Sequence, residues 1–227
     1  MTEKTFKTMA DFLKRGLVLL LFFSFPLAYA GSYEDFFTAI KRDDARTLTQ
    51  LLSQGFDVNT LNPAGEHGLL LAAREPSLQA AAVLLAQPKV NADARNRQDE
   101  SALMLASLQG LDALCQQLIA QGASVNKPGW TPLHYAATHG HLTVITLLLD
   151  NYAYIDAASP NGTTPLMMAA HYGTPSAVKQ LLEAGADPLL KNAQDLSAID
   201  FAHRANRLDV AEIIAAFVRS RQPKGVW

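Results

Sequence analysis

Three histidines, His134, His139 and His141, fall within eight residues of one another, and a single cysteine, Cys115, precedes them. Imidazole is a common zinc ligand and a thiolate a strong nucleophile. The chemistry on offer is therefore a metal-dependent hydrolase using His139 and His141, or a thiol enzyme using Cys115. The spacing argues against the first, because no two of the three histidines make the i, i+4 pair by which one helix face grips zinc. Against the second, Cys115 follows Leu114 at a place filled elsewhere in the chain by Ile145, Val178 and Ala211. That is a core position, and a buried thiol with no cationic neighbour is inert. No G-x-S-x-G elbow, phosphate-binding glycine loop, H-E-x-x-H pair or dinucleotide fingerprint occurs. The chain reads as a non-enzyme that needs no cofactor and no metal.

The elements that must carry these residues recur. Residues 129–156 read GWTPLHYAATHGHLTVITLLLDNYAYID, and the rest of the chain aligns to them. With Leu133 as anchor, the equivalents are Phe36, Leu69, Leu103, Leu166 and Ile199, at successive intervals of 33, 34, 30, 33 and 33 residues. An alanine stands three residues after every anchor (Ala39, Ala72, Ala106, Ala136, Ala169, Ala202), and apolar pairs such as Leu51/Leu52, Leu84/Leu85 and Leu181/Leu182 follow. Thr131-Pro132-Leu133-His134-Tyr135-Ala136, Gly140-His141 and the closing runs Gly55 to Asn59, Gly122 to Asn126 and Gly185 to Pro188 resemble the ankyrin repeat. The resemblance covers roughly 33–219 and sets a repeat domain at 31–219, with 220–227 as a short C-terminal tail.

The resemblance implies an all-α solenoid of about six helix-turn-helix repeats with short β-hairpin fingers, capped by its first and last units. It also implies that His134 and His141 serve backbone hydrogen bonding, which leaves only His139 outside the repeat's own habit. Departures from the pattern are informative. Glu66-His67-Gly68-Leu69-Leu70 replaces the T-P-L-H run, so the second unit lacks its hydroxyl cap and leading proline and is expected to be less rigid. Arg95 to Glu100 forms the most charged finger, expected to project into solvent. The 30-residue interval clips the connector at Asn126 to Trp130 by three residues. Asn206 stands where glycine is usual, a residue that tolerates a left-handed helix end.

Ahead of the repeats, Lys4, Lys7, Lys14 and Arg15 precede the apolar run Leu17 to Phe25, and Ala28-Tyr29-Ala30 supplies a cleavage pattern. Residues 1–30 thus read as a signal peptide, too short in its apolar run to span a bilayer, with Gly31 as the first mature residue. Removing that segment takes four basic and two acidic residues from 19 Lys+Arg and 21 Asp+Glu, leaving 15 against 19 and a net charge of −4. With no clustered basic face, the chain is not expected to bind nucleic acid. One cysteine precludes an internal disulfide, so stability must come from stacking. The expectation is a periplasmic, monomeric protein without stable membrane insertion; the alternative is a secreted effector.

Two, five and six residues after each anchor lie the positions that the resemblance turns toward the concave face. The first two units place Thr38, Lys41, Arg42, Arg74 and Glu75 there, whereas later units place Leu105, Leu108, Tyr135, His139, Met168, His171, Tyr172 and Phe201. Leu105, Met168 and Phe201 could equally pack between repeats. Exposed aromatics and methionine are interface anchors, so the candidate protein-binding residues are Tyr135, His139, Met168, His171 and Tyr172, with Trp130 at the edge of the clipped connector.

Overall fold

The computed structural model describes residues 31–221; the apolar run, the cleavage pattern at Ala30 and residues 222–227 lie outside the described residues. Twelve helices occur among them. The first, α1 (31–41), is followed by α2 (Ala45–Ser53), α3 (Gly68–Arg74), α4 (Leu78–Leu85), α5 (Ala102–Gln109) and α6 (Asp112–Ala120). Then come α7 (Pro132–His139), α8 (Leu142–Asp150), α9 (Pro165–His171), α10 (Pro175–Glu183), α11 (Ala198–Arg204) and α12 (Leu208–Arg221). The last helix runs to Arg221, so ordered structure continues past residue 219.

Helices of seven to nine residues are too short to persist alone in water, so their stability must come from neighbours. The first helices of successive units pack in one layer, α3 on α5, α7, α9 and α11, and the second helices pack behind them from α2 to α12. Leu103, Leu133 and Leu166 are fully buried between the layers. The recurrent alanines explain the close crossing, because Ala72, Ala106, Ala136, Ala169 and Ala202 have no exposed surface and any larger side chain would push helices apart. At the N-terminal end an aromatic cluster takes over this role, with the Phe36 and Phe56 rings stacked at 4.6 Å.

Helix ends follow the sequence. Thr164 and Thr174 cap α9 and α10 by accepting the backbone N–H of Met167 and Ala177, each ahead of a proline at the helix start. The α3 start, at His67, has no side-chain cap. There Gly68 has its own role, since a Cβ would meet Ile40 Cδ1 at 2.7 Å and the Phe36 ring at 3.1 Å; its absence lets α1 close onto α3. Asn206 adopts the left-handed conformation, at φ 55°.

The fingers are slighter than hairpins. Two consist of single antiparallel bridges, Leu61 to His67 and Arg95 to Ser101, and two more of single backbone bonds, from Ser159 N to Thr163 O and from Asn192 N to Leu196 O. Their arms are shorter than the five or six residues of an ordinary strand. The charged finger from Arg95 to Glu100 is tied rather than free: Arg95 pairs with Asp93 and Asp99 at 3.3 Å, and Asp99 also pairs with Lys127 from the clipped connector. The Lys127 side chain is almost wholly buried, and its amine donates to the Trp130 carbonyl at 3.2 Å.

A row of polar side chains stitches the loops that follow the second helices. Asn59 bonds Lys89 O and Asn91 N, Asp93 bonds Ser124 N and Oγ, Asn126 bonds Tyr152 O and Tyr154 N, and Asp156 accepts from Asp187 N. These four rungs link the first five units in series. No helix among the described residues is long and apolar enough to cross a membrane.

Candidate functional site

On the first-helix face, α7 is the best-anchored element. His134 sits in its first turn without exposed surface. Its Nδ1 accepts from the Thr131 backbone N–H at 3.2 Å, which leaves Nε2 to carry the proton and donate to the Thr163 carbonyl of the next unit at 2.9 Å. Burial pushes the imidazole pKa down from 6.5 to about 4, so the ring is neutral. His141 likewise donates through Nε2 to Leu108 O at 2.9 Å, lying where a Cβ on Gly110 would run into its ring. Two of the three histidines are thus structural bonds between repeats. Among the described residues no group of three or more His, Cys, Asp or Glu side chains is placed to hold a metal ion.

Held this way, α7 presents Tyr135 beside a hollow of about 250 Å³ lined by Leu108, Trp130, His134, Tyr135, Thr138 and Met168. Trp130, half-buried, meets the His134 ring edge-on at 5.2 Å. The walls are almost entirely apolar, and the clipped connector leaves Trp130 as one of them. Tyr135 is half-buried and not a free anchor: its hydroxyl donates to Glu100 Oε1 at 3.1 Å, and burial together with that carboxylate raises the phenol pKa.

Glu100 is a residue that sequence reasoning missed as part of this face. Its other oxygen accepts from Asn96 Nδ2 at 2.7 Å and lies 3.5 Å from Arg74, whose guanidinium pairs more closely with Glu66 at 2.8 Å. A second hollow of about 430 Å³ lies beside the first and shares Leu108, with Arg74, Gln98, Glu100, Leu105 and Gln109 as its other walls. The signal lay in the charged finger, which ends at Glu100 immediately before the capping Ser101 of α5.

The remaining candidates separate. Trp130, Tyr135 and Met168 share the apolar hollow, whereas His171 and Tyr172 form a ring cluster at the end of α9, with centroids 4.0 Å apart and Phe201 edge-on to His171 at 6.0 Å. Tyr172 is 61% exposed, and the buried His171 Nδ1 has no hydrogen-bond partner. His139 is exposed and stands apart, its ring parallel to His141 at 5.8 Å. Leu105, at 5% exposure, is inter-repeat packing, and Met168 and Phe201 also rest against the core while keeping some exposed surface. Cys115 is fully buried beside Ser107, and burial raises its thiol pKa to about 11.

Comparison with known proteins gives concordant matches. The family model described as "Ankyrin repeats" matches three overlapping stretches, 36–128, 69–159 and 103–192. The chain is 33% identical over 153 residues to the nuclear factor NF-kappa-B p105 subunit of Mus musculus, covering 64% of this chain and 16% of that protein. It is 34% identical over 170 residues to the same subunit of Gallus gallus, covering 71% and 17%. The chain therefore spans about a sixth of the length of these curated relatives. Among solved structures it is similar to a chain of the complex titled Bd0816 predatory endopeptidase from Bdellovibrio bacteriovorus with immunity protein Bd3460. The TM-score is 0.70 and the identity 29%, over 80% of this chain and 97% of that one.

Proposed function

Since this chain belongs to the ankyrin-repeat family, whose stacked repeats are protein-protein interaction modules, we propose that it is a non-catalytic binding protein acting in the periplasm through its concave face. The contact residues are Trp130, Tyr135, His139, Met168, His171 and Tyr172. The observation that carries the reading is the apolar hollow between Trp130, Tyr135 and Met168, which no other part of the described chain fills. An open recess of this kind, bordered by half-exposed aromatics, is the surface from which interfaces draw most of their energy. A protective role is favoured over a scaffolding one, because the similar solved chain belongs to a complex of an endopeptidase with an immunity protein. The partner would then be a hydrolase of the same compartment, held inactive until needed.

Osmotic-shock fractionation should release the protein with the periplasm, and affinity capture from that fraction should identify the partner. With the pair in hand, Tyr135→Ala and Tyr172→Ala should each weaken binding at least tenfold, about 1.4 kcal/mol, at unchanged helicity. Lys41→Ala should not. Retention in the cytoplasm would remove the compartment; neutral tyrosines beside a critical Lys41 would remove the concave surface.

A further inference from the structure

Resting on the concave-face reading, we infer that the two adjoining hollows form a bipartite site for an extended partner segment in which a bulky apolar side chain is followed, a few residues on, by a lysine or arginine. The apolar hollow sets the first half. At about 250 Å³ it is smaller than the roughly 300–1,000 Å³ of small-molecule pockets, and its walls offer Trp130, Met168 and Leu108 with scarcely a polar atom. It has the size and lining of a socket for one large side chain.

Charge sets the second half. The polar hollow shares Leu108 with the first, so one segment passing over Leu108 enters both. Glu100 is its one carboxylate wall, and Arg74, the cation beside it, is committed at 2.8 Å to the buried Glu66 while standing 3.5 Å from Glu100. Glu100 is otherwise held by neutral donors, the Asn96 amide and the Tyr135 hydroxyl. Of the neighbouring charges, Arg95 and Lys127 pair with Asp93 and Asp99, and the exposed Arg97 lies over Gly65, outside the walls of the hollow. Lys41 ends α1 and Arg42 follows it, two first helices away from α5. Glu100 thus has no close cationic partner of its own and is only partly exposed, so it attracts a cation more strongly than a carboxylate on the open surface does. Gln98 and Gln109 supply amide oxygens for its remaining N–H donors.

The test pans the purified chain against random seven-residue peptides displayed on phage, then titrates the enriched peptide, fluorescein-labelled, by anisotropy. The expected consensus is a bulky apolar residue with a basic one within a few positions. Trp130→Ala should weaken that peptide at least tenfold, and Glu100→Gln several-fold with a flatter salt dependence. Arg74→Gln, which removes the competing cation, should tighten it. Circular dichroism confirms that the variants fold. A purely apolar or acidic consensus, or no enrichment at all, would overturn the bipartite site. So would self-association of the chain that Trp130→Ala abolishes. Peptides lacking a basic residue yet sensitive to Trp130 and Tyr172 would sink the charge reading and leave the concave face intact. Enriched peptides insensitive to both residues would end both.

Discussion

Mild acid should destabilise this protein because of one histidine. His134 is buried and neutral in the folded chain, with a pKa of about 4 against 6.5 when unfolded. Between those values the unfolded chain binds a proton that the folded chain refuses, so stability falls as pH falls through that window. At 1.36 kcal/mol per pH unit the whole span is worth about 3 kcal/mol, of which about 2 should be gone by pH 4.5. That is a large share of the ~5–15 kcal/mol by which domains are stable. The geometry adds to the cost: a proton on Nδ1 would lie against the Thr131 N–H at 3.2 Å with only the Thr131 hydroxyl, at 2.9 Å, to accept it, and the other nitrogen is already donating to Thr163. The pKa values of Asp99 and Asp200 are lowered by hydrogen bonds to Lys127 and Ser197, so their losses come below this window. Burial also lowers the pKa of His67, which adds in the same direction. Urea unfolding followed by circular dichroism at pH 7, 6, 5 and 4.5 should show the midpoint falling by about 1 M. In His134→Gln most of that slope should vanish, whatever the variant costs at pH 7. A variant with the full wild-type slope would refute the assignment.

Three further outcomes are expected. Leu133→Ala, at a site with no exposed surface, should cost ~2–5 kcal/mol, whereas Leu196→Ala, half-buried in a finger, should cost under about 1; equal shifts in urea midpoint would dismantle the repeat alignment. Tyr152→Gly should stabilise by about 0.5–1 kcal/mol in thermal melts, because Tyr152 is 86% exposed at φ 63° where the equivalent loops place Gly55, Gly122 and Gly185; a lower Tm would show that the ring makes a contact worth more than the strain. Cys115, its thiol pKa raised to about 11 by burial, should resist Ellman's reagent at pH 8 in the native protein and react fully in urea; rapid native labelling would place it at the surface.

The repeat was legible because its signals are local and sixfold. Anchors and alanines obey one spacing, and each hydroxyl or proline acts within one turn of its own helix. Position-by-position reasoning also found Trp130, Tyr135 and Met168, which converge on one hollow. What stayed hidden depends on contacts across repeats. The Tyr135 to Glu100 bond joins residues 35 apart, and it turns an expected free anchor into a tethered wall. Lys127 reads as a connector charge, yet its side chain is buried because Asp99 and the Trp130 carbonyl satisfy it. Leu105 and Leu108 share a helix face in sequence, but only the former is buried.

The rungs at Asn59, Asp93, Asn126 and Asp156 give the stack a mechanical asymmetry. Hydrogen bonds are directional and tolerate little stretching, whereas apolar contacts permit small slides and tilts. The edge fastened by the rungs therefore behaves as an inextensible spine, and the finger edge, joined across units by side-chain pairs such as Lys127 with Asp99, is the more compliant one. Flexure of such a body fans or gathers the fingers about the spine. A segment seated over Leu108 would draw Trp130 and Glu100 together by a slight tightening of curvature shared among several units, without unfastening any of them.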